Sequence, residues 1–147
     1  MKNLKLNIIS KVPTKKETQF LEDRIHEHNA AQINRDDGKL FSKLIIYDSQ
    51  KEIVAGITGW TWAGACEIAL FWVKHDYRNK GYGKSLLNAA DTEAVREKCK
   101  AIFLRTYSFQ APGFYKKHGY TVEHEIKDFP PGHHSFSLIK RLGSLMP

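Results

Sequence analysis

The most constraining feature of this sequence is a change of hydrophobic period near residue 81. Before it, Leu40 to Tyr47, Ile53 to Trp62 and Cys66 to Lys74 read as three strands. The turn residues Asp48-Ser49-Gln50-Lys51 and Ala63-Gly64 separate them, which makes an antiparallel meander. After it, Leu86, Leu87, Ala90, Ala94 and Val95 recur at helical spacing between Gly81 and Cys99. A chain that switches from period 2 to period 3.6 builds a sheet with helices packed on it.

The flanking segments extend that plan. Leu4, Leu6 and Ile8 alternate with polar neighbours in a strand over residues 4–9, and Pro13 ends it. Thr14 and Glu17 form the T-x-x-E pattern of a capping box, and Phe20, Leu21, Ile25 and His28 follow at helical spacing to about Ala31. Residues 34–39 are a polar loop. Ala101 to Thr106 reads as a strand, and Pro112 to His118 as a short helix with proline in its first turn. Gly119 suits a left-handed helix end. Tyr120 to Ile126 and Ser135 to Lys140 are the last strands, joined by a loop over 128–134 that contains Pro130, Pro131 and Gly132. The predicted order is β-α-β-β-β-α-β-α-β-β, an α/β (α+β mixed-sheet) fold in a single domain over 1–147.

Composition removes several function classes. A chain of 147 residues is one domain in size, and 41% hydrophobic with 27% charged residues is a globular balance. No run approaches the ~20 apolar residues of a membrane span. The N-terminus lacks the apolar stretch of a secretion signal, so the expected location is the cytoplasm. Cys66 and Cys99 have no metal-binding spacing; a single disulfide is open to them, and two thiols in a reducing compartment are the expected reading. The net charge of +7 favours an anionic partner. No basic tail and no nucleic-acid motif accompany it, so nucleic acid is not the expected one.

A better partner follows from Arg78-Asn79-Lys80-Gly81-Tyr82-Gly83-Lys84-Ser85, which lies between a buried strand and the long helix. The glycines let backbone approach a ligand closely. The first-turn amides of the helix point outward, and the helix dipole adds positive potential. This is a site for phosphate or pyrophosphate, with Arg78, Lys80 and Lys84 adding charge. Neither the P-loop spacing nor the three-glycine dinucleotide fingerprint fits, because residue 86 is leucine.

Four features in this order give the chain a family likeness. They are the R-N-K-G-Y-G loop, the preceding strand Glu67 to Val73, the segment Phe114-Tyr115-Lys116-Lys117-His118-Gly119-Tyr120, and the order of elements. The chain resembles the GNAT superfamily of acetyl-CoA-dependent N-acetyltransferases. The resemblance implies a central splayed mixed sheet flanked by helices, acetyl-CoA as co-substrate, and direct acetyl transfer to a primary amine in a ternary complex. It implies that residues 79 to 85 (Asn79, Lys80, Gly81, Tyr82, Gly83, Lys84, Ser85), with Arg78, hold the pyrophosphate. The strand ending at Phe71, Trp72 and Val73 then separates from the strand at Ala101 and pairs with the pantetheine arm. Many members place an asparagine seven residues before the tyrosine; here Ser108 stands there, with a shorter reach, and Ala111 matches the usual small residue.

The resemblance makes Tyr115 the acid that protonates the leaving thiolate, against packing on the sheet as the alternative. A phenol titrates near ~10, comparable to an alkyl thiol. Glu67 is the candidate base, against a solvated strand-end carboxylate or an ordered water in its place. Strict alternation puts Glu67, Ala69, Phe71 and Val73 on one face. Trp60 and Trp62 share a strand face near Glu67 and could wall the acceptor. Asp128, His133 and His134 are acceptor-contact candidates from the 128–134 loop. Adjacent histidines with no cysteine nearby lack a tetrahedral metal set, so no metal is expected. Glu123, Glu125 and Asp128 could supply local acidity. Exposed sheet edges leave a homodimer open. The competing readings are a non-catalytic coenzyme A-binding module and, more remotely, a basic nucleic-acid binder.

Overall fold

The computed structural model describes residues 8–40 and 44–143. The chain divides into two compact units, residues 1–36 and 37–147.

The first unit holds α1 (Lys15–Ile33). Its start follows from the predicted capping box. The Glu17 amide donates to Thr14 Oγ1 at 3.2 Å, and Glu17 Oε2 accepts from the Thr14 amide at 2.8 Å. Lys11 lies 2.6 Å from the same carboxylate, and with the Thr14 groups it holds Glu17 below the usual carboxylate range. The helix ends at Asn34 in the left-handed conformation, whose amide donates to Ala30. The strand expected over 4–9 falls mainly outside the described residues, and Ile8 and Ile9 are not in a strand.

Among the described residues the second unit is a seven-stranded mixed sheet with two α-helices. The elements are β1 (Lys39–Leu40), β2 (Leu44–Tyr47), β3 (Ile53–Trp62), β4 (Ala65–Val73), α2 (Tyr82–Arg96), β5 (Ala101–Tyr107), α3 (Pro112–Lys117), β6 (Thr121–Lys127) and β7 (His134–Arg141). Of the strand expected from Leu40 to Tyr47, Leu40 falls in β1 and Leu44–Tyr47 form β2, both paired with β3, and residues 41–43 lie outside the described residues. Strand order is β1-β3-β4-β5-β7-β6, with β2 alongside β3. Every pairing is antiparallel except β4 with β5. β6 forms an edge and is exposed along its length.

The helical period after residue 81 explains the core. Leu86, Leu87, Ala90 and Ala94 share one stripe of α2 and pack on Ala55, Ile57, Cys66, Ile68, Ile102, Leu104 and Leu138. Each large side chain buried in this way contributes about 1.5–3 kcal/mol. An ion pair of 2.5 Å between Lys140 of β7 and Asp91 fixes the helix across the sheet. α2 stops at Arg96, three residues before the predicted end. Lys98 turns left-handed there (φ 56°), and the Cys99 amide reaches back to Ala94 at 2.8 Å. Both cysteines are buried. No helix among the described residues is long and apolar enough to cross a membrane.

Candidate active site

The site begins where two strands part. β4 and β5 pair in parallel from Ala65/Ala101 to Ile68/Leu104, and there the pairing stops. β4 continues to Val73 and β5 to Tyr107, so the two strands diverge in a V.

A bulge next to the apex sets which side chains face which way. β3 pairs Thr58 with Leu70 but Gly59 with Ile68, so Ala69 is an extra residue in β4. Only glycine fits opposite the bulge: a Cβ on Gly59 would lie 1.8 Å from the Glu67 carbonyl oxygen. The bulge shifts the alternation by one. Cys66 and Ile68 below it and Phe71 and Val73 above it all join the core under α2. Glu67 therefore lies on the opposite face, with Leu70 and Trp72. The expectation that Glu67 shares a face with Phe71 and Val73 is corrected by this one inserted residue.

On the α2 side a cleft of about 420 Å³ opens between the strands and the helix starts. Nine of the expected cofactor and catalytic residues line it: Phe71, Trp72 and Val73 from β4, Arg78, Asn79, Gly81 and Gly83 from the loop, and Ala111 and Tyr115 at α3. The loop conformation is specific. Asn79 and Gly81 are left-handed, at φ 59° and 86°. Gly81 caps α2 without a side-chain hydrogen bond, and the first closed turn is Ser85 to Gly81 at 2.9 Å. The amides of Tyr82, Gly83 and Lys84 thus precede the helical ladder and remain donors for an anion. Arg78 Nε donates to the Val73 carbonyl at 3.0 Å, which ties the guanidinium to the end of β4. Lys80 sits over the Tyr77 ring at 5.5 Å. A Cβ on Gly83 would press to 3.1 Å from the Phe114 ring, which would have to shift to admit it.

Tyr115 is buried beneath an aromatic cluster. Phe71 stacks on Phe114 at 5.9 Å and meets Tyr115 edge-on at 6.0 Å, and Tyr120 lies at 5.8 Å behind it. Burial pushes the Tyr115 phenol up to about 12. The group is a proton donor throughout the neutral range.

Glu67 is half-buried on the other face. It pairs across β3 with Trp60 and across β5 with Phe103, whose rings meet edge-on at 6.1 Å. Its carboxylate makes no hydrogen bond or ion pair among the described residues. Trp62 lies further along the same face of β3, away from the V. The two candidate catalytic groups therefore approach the V from opposite sides of the sheet.

The remaining expected residues are placed elsewhere. Ser108 does not line the cleft: its Oγ accepts from the His134 amide at 3.1 Å, and its own amide donates to the His134 carbonyl at 2.9 Å. Lys80, Tyr82, Lys84 and Ser85 belong to the loop and first helical turn outside the cleft lining. Asp128 Oδ1 closes the 128–132 turn on the Gly132 amide at 2.7 Å. His133 contacts Phe109 edge-on at 4.9 Å and stands one side chain from the cleft. His134 pairs with Glu125 at 2.6 Å, and Arg141 pairs with Glu123 at 2.6 Å. Glu123, Glu125 and Asp128 of the expected acidic cluster are thus each engaged within this hairpin. Three lining residues escaped the sequence reading: Phe109, Gln110 and Phe114. Pro112 was the signal for Phe109 and Gln110, because proline in the first turn of α3 obliges the residues just before it to form the strand-to-helix loop at the cleft.

This geometry has known counterparts. The family description of the acetyltransferase (GNAT) domain matches residues 41–122. The chain belongs to the GNAT acetyltransferases. It is 37% identical over 95 residues to the blasticidin-S acetyltransferase of Streptomyces morookaense, covering 62% of this chain and 68% of that protein. An acetyltransferase structure from Bacillus cereus ATCC 14579 is 29% identical at a TM-score of 0.76, covering 92% of this chain and 98% of the other. A structure from Agrobacterium tumefaciens, 22% identical with the same coverage, shares the fold at a TM-score of 0.83. This chain is an N-acetyltransferase, on a mixed sheet whose β4 and β5 part beyond Ile68 and Leu104.

Proposed function

We propose that the chain transfers the acetyl group of acetyl-CoA directly to a primary amine in a ternary complex. The observation that carries this reading is the parting of β4 and β5 beside an uncapped helix start, with a buried phenol on one face and an uncommitted carboxylate on the other. The residues present fit the co-substrate. The first-turn amides of α2 and Arg78 would receive the pyrophosphate, and the exposed backbone of Phe71 to Val73 would receive the pantetheine arm. The Gly83 cradle leaves the close approach that the phosphates need.

When bound, acetyl-CoA supplies an activated acetyl group as a thioester. The amine forms the new C–N bond to the carbonyl carbon, and the C–S bond breaks. Glu67 takes the ammonium proton, directly or through one water, and frees the amine lone pair. Tyr115 donates its phenolic proton to the departing sulfur and is restored, through solvent, by the second proton that the attached nitrogen loses, while Glu67 releases the first to solvent. Trp60 and Phe103 shield the Glu67 carboxylate from bulk water. Holding both reactants on either side of one opening makes the attack effectively intramolecular.

Calorimetric titration with acetyl-CoA at physiological salt tests the first half. One-to-one binding in the micromolar range is expected, and no detectable heat at several temperatures overturns the loop assignment. Thiol release with a panel of primary amines tests the second half. Blasticidin S belongs in that panel because it is the substrate in the name of the Streptomyces relative. Binding of acetyl-CoA with no amine-dependent thiol release would leave a non-catalytic binder.

A further inference from the structure

The face of the sheet turned away from α2 carries a second uncommitted charge beside the V. Glu67 pairs in register with Phe103, and Arg105 lies two residues further along β5 on the same face, one residue past the last β4/β5 pair. At strand rise and spacing, the Cα atoms of Glu67 and Arg105 are roughly 8 Å apart. Arg105 is exposed, and among the described residues it makes no ion pair or hydrogen bond. The other arginines of this unit are all engaged. Arg78 donates to the Val73 carbonyl, Arg96 pairs with Glu93, and Arg141 pairs with Glu123. Arg105 instead has Phe103 and Tyr107 on its own strand and Ser137 opposite on β7, with no carboxylate among them.

An acceptor must enter from this face, because the cleft on the α2 side is the place for the co-substrate. At the mouth it meets a carboxylate from the paired stem just below the V, a guanidinium at the start of the β5 arm, and aromatic surface from Trp60, Phe103 and Trp72. A carboxylate alone would suit any amine. The guanidinium repels a purely cationic amine and presents a planar fork that matches an oxyanion. We infer that the acceptor is a primary amine that also carries an oxyanion, a carboxylate or a phosphate-type group, with Glu67 receiving the amine end and Arg105 the anionic end. This rests on the acetyl-transfer reading above and narrows its substrate class.

The test uses matched amines. Aliphatic and aromatic amino acids are each compared with the corresponding carboxamide and aminophosphonate, by thiol release and by quenching of tryptophan fluorescence. The expected result is a preference for the anionic members over the carboxamide, and the ranking of carboxylate against phosphonate identifies the oxyanion. Arg105→Gln should raise KM for the anionic members about 10- to 100-fold and leave the carboxamides and the calorimetric affinity for acetyl-CoA unchanged. Arg105 is exposed, so this variant should keep its circular dichroism spectrum. Equal use of anionic and neutral members overturns the inference while leaving acetyl transfer intact, and so does an equal loss for both in Arg105→Gln. Fluorescence binding that depends on the anion and on Arg105, without any thiol release, supports the inference and overturns the transferase reading instead. Failure of every anionic amine both to bind and to react overturns the inference.

Discussion

In the proposed mechanism Tyr115 and Glu67 do different work, and they sit in different environments on opposite faces of the same sheet. Burial raises the Tyr115 phenol to about 12, so the proton it offers a thiolate is present at every assay pH in the neutral range. The sign matters: an alkaline limb in the rate profile below pH 11 cannot come from Tyr115. Tyr115→Phe should lower kcat by about 100-fold, the usual scale of a lost general acid, with the calorimetric affinity for acetyl-CoA unchanged. An unaltered kcat would mean that water protonates the sulfur. Glu67 must lose its proton to act as base, so activity that depends on it falls as pH drops. Glu67→Gln should abolish that acidic limb of kcat/KM and lower the plateau. Persistence of the limb in the variant would assign the base elsewhere. The same two residues show how far sequence reached. The place of Tyr115 at the cleft was legible from the segment around it, whereas the face of Glu67 was not. Nor was the place of Ser108, because its bond to the His134 amide joins residues 26 apart in the chain, and no local pattern announces it.

The bulge in β4 is the element on which the site turns, and it was the least legible part of the fold. The capping box at Thr14, the glycine loop before α2 and the proline at α3 are local chemistry, so the sequence displays them. The bulge leaves no such mark. Residues 68–73 are apolar throughout, and Ala69 is small enough to sit on either face, so an unbroken alternation fits the letters equally well. What decides is the pairing partner. β3 offers Gly59 opposite the extra residue, and its missing side chain admits the Glu67 carbonyl. Gly59→Ala should therefore cost about 3 kcal/mol, since the added Cβ meets backbone that no rotamer change can move. Urea unfolding measures it. A change below about 0.5 kcal/mol would show that β3 and β4 slip to a bulge-free register. Amine transfer should then fail, because strict alternation puts Glu67 and Phe71 on one face, and the slip either carries Glu67 to the co-substrate side or turns Phe71 out of the cleft.

At the scale of the whole molecule, the α2 side of the sheet is a store of neutral acids. Cys66, Tyr115 and Tyr120 all lie in one core, and burial raises each of them. Cys66 moves from an ordinary 9.0 to about 12, with burial the main cause and Cys99 adding to it, and Tyr115 from 10.0 to about 12. Tyr120 rises as well, through burial first and then its neighbour Asp91. A folded state that holds these protons more tightly than the unfolded chain is stabilised in full below about pH 9. It loses that stability as the unfolded chain ionises and the pH climbs toward 12. Each group steepens the loss by at most about 1.4 kcal/mol per pH unit while it is ionised only in the unfolded chain. The urea midpoint should thus hold steady from pH 7 to about 9 and then fall progressively, the thiol acting first because its unfolded value is lowest. Cys66→Ala should shift the onset of the fall upward by about one pH unit, whatever its effect on the midpoint at pH 7. A midpoint that stays level to pH 11, or an onset that ignores Cys66, would show that these groups reach solvent in the folded protein and that the core around Tyr115 is open. Tyr115 would then titrate near ~10, and an alkaline limb in the rate profile should appear at that pH.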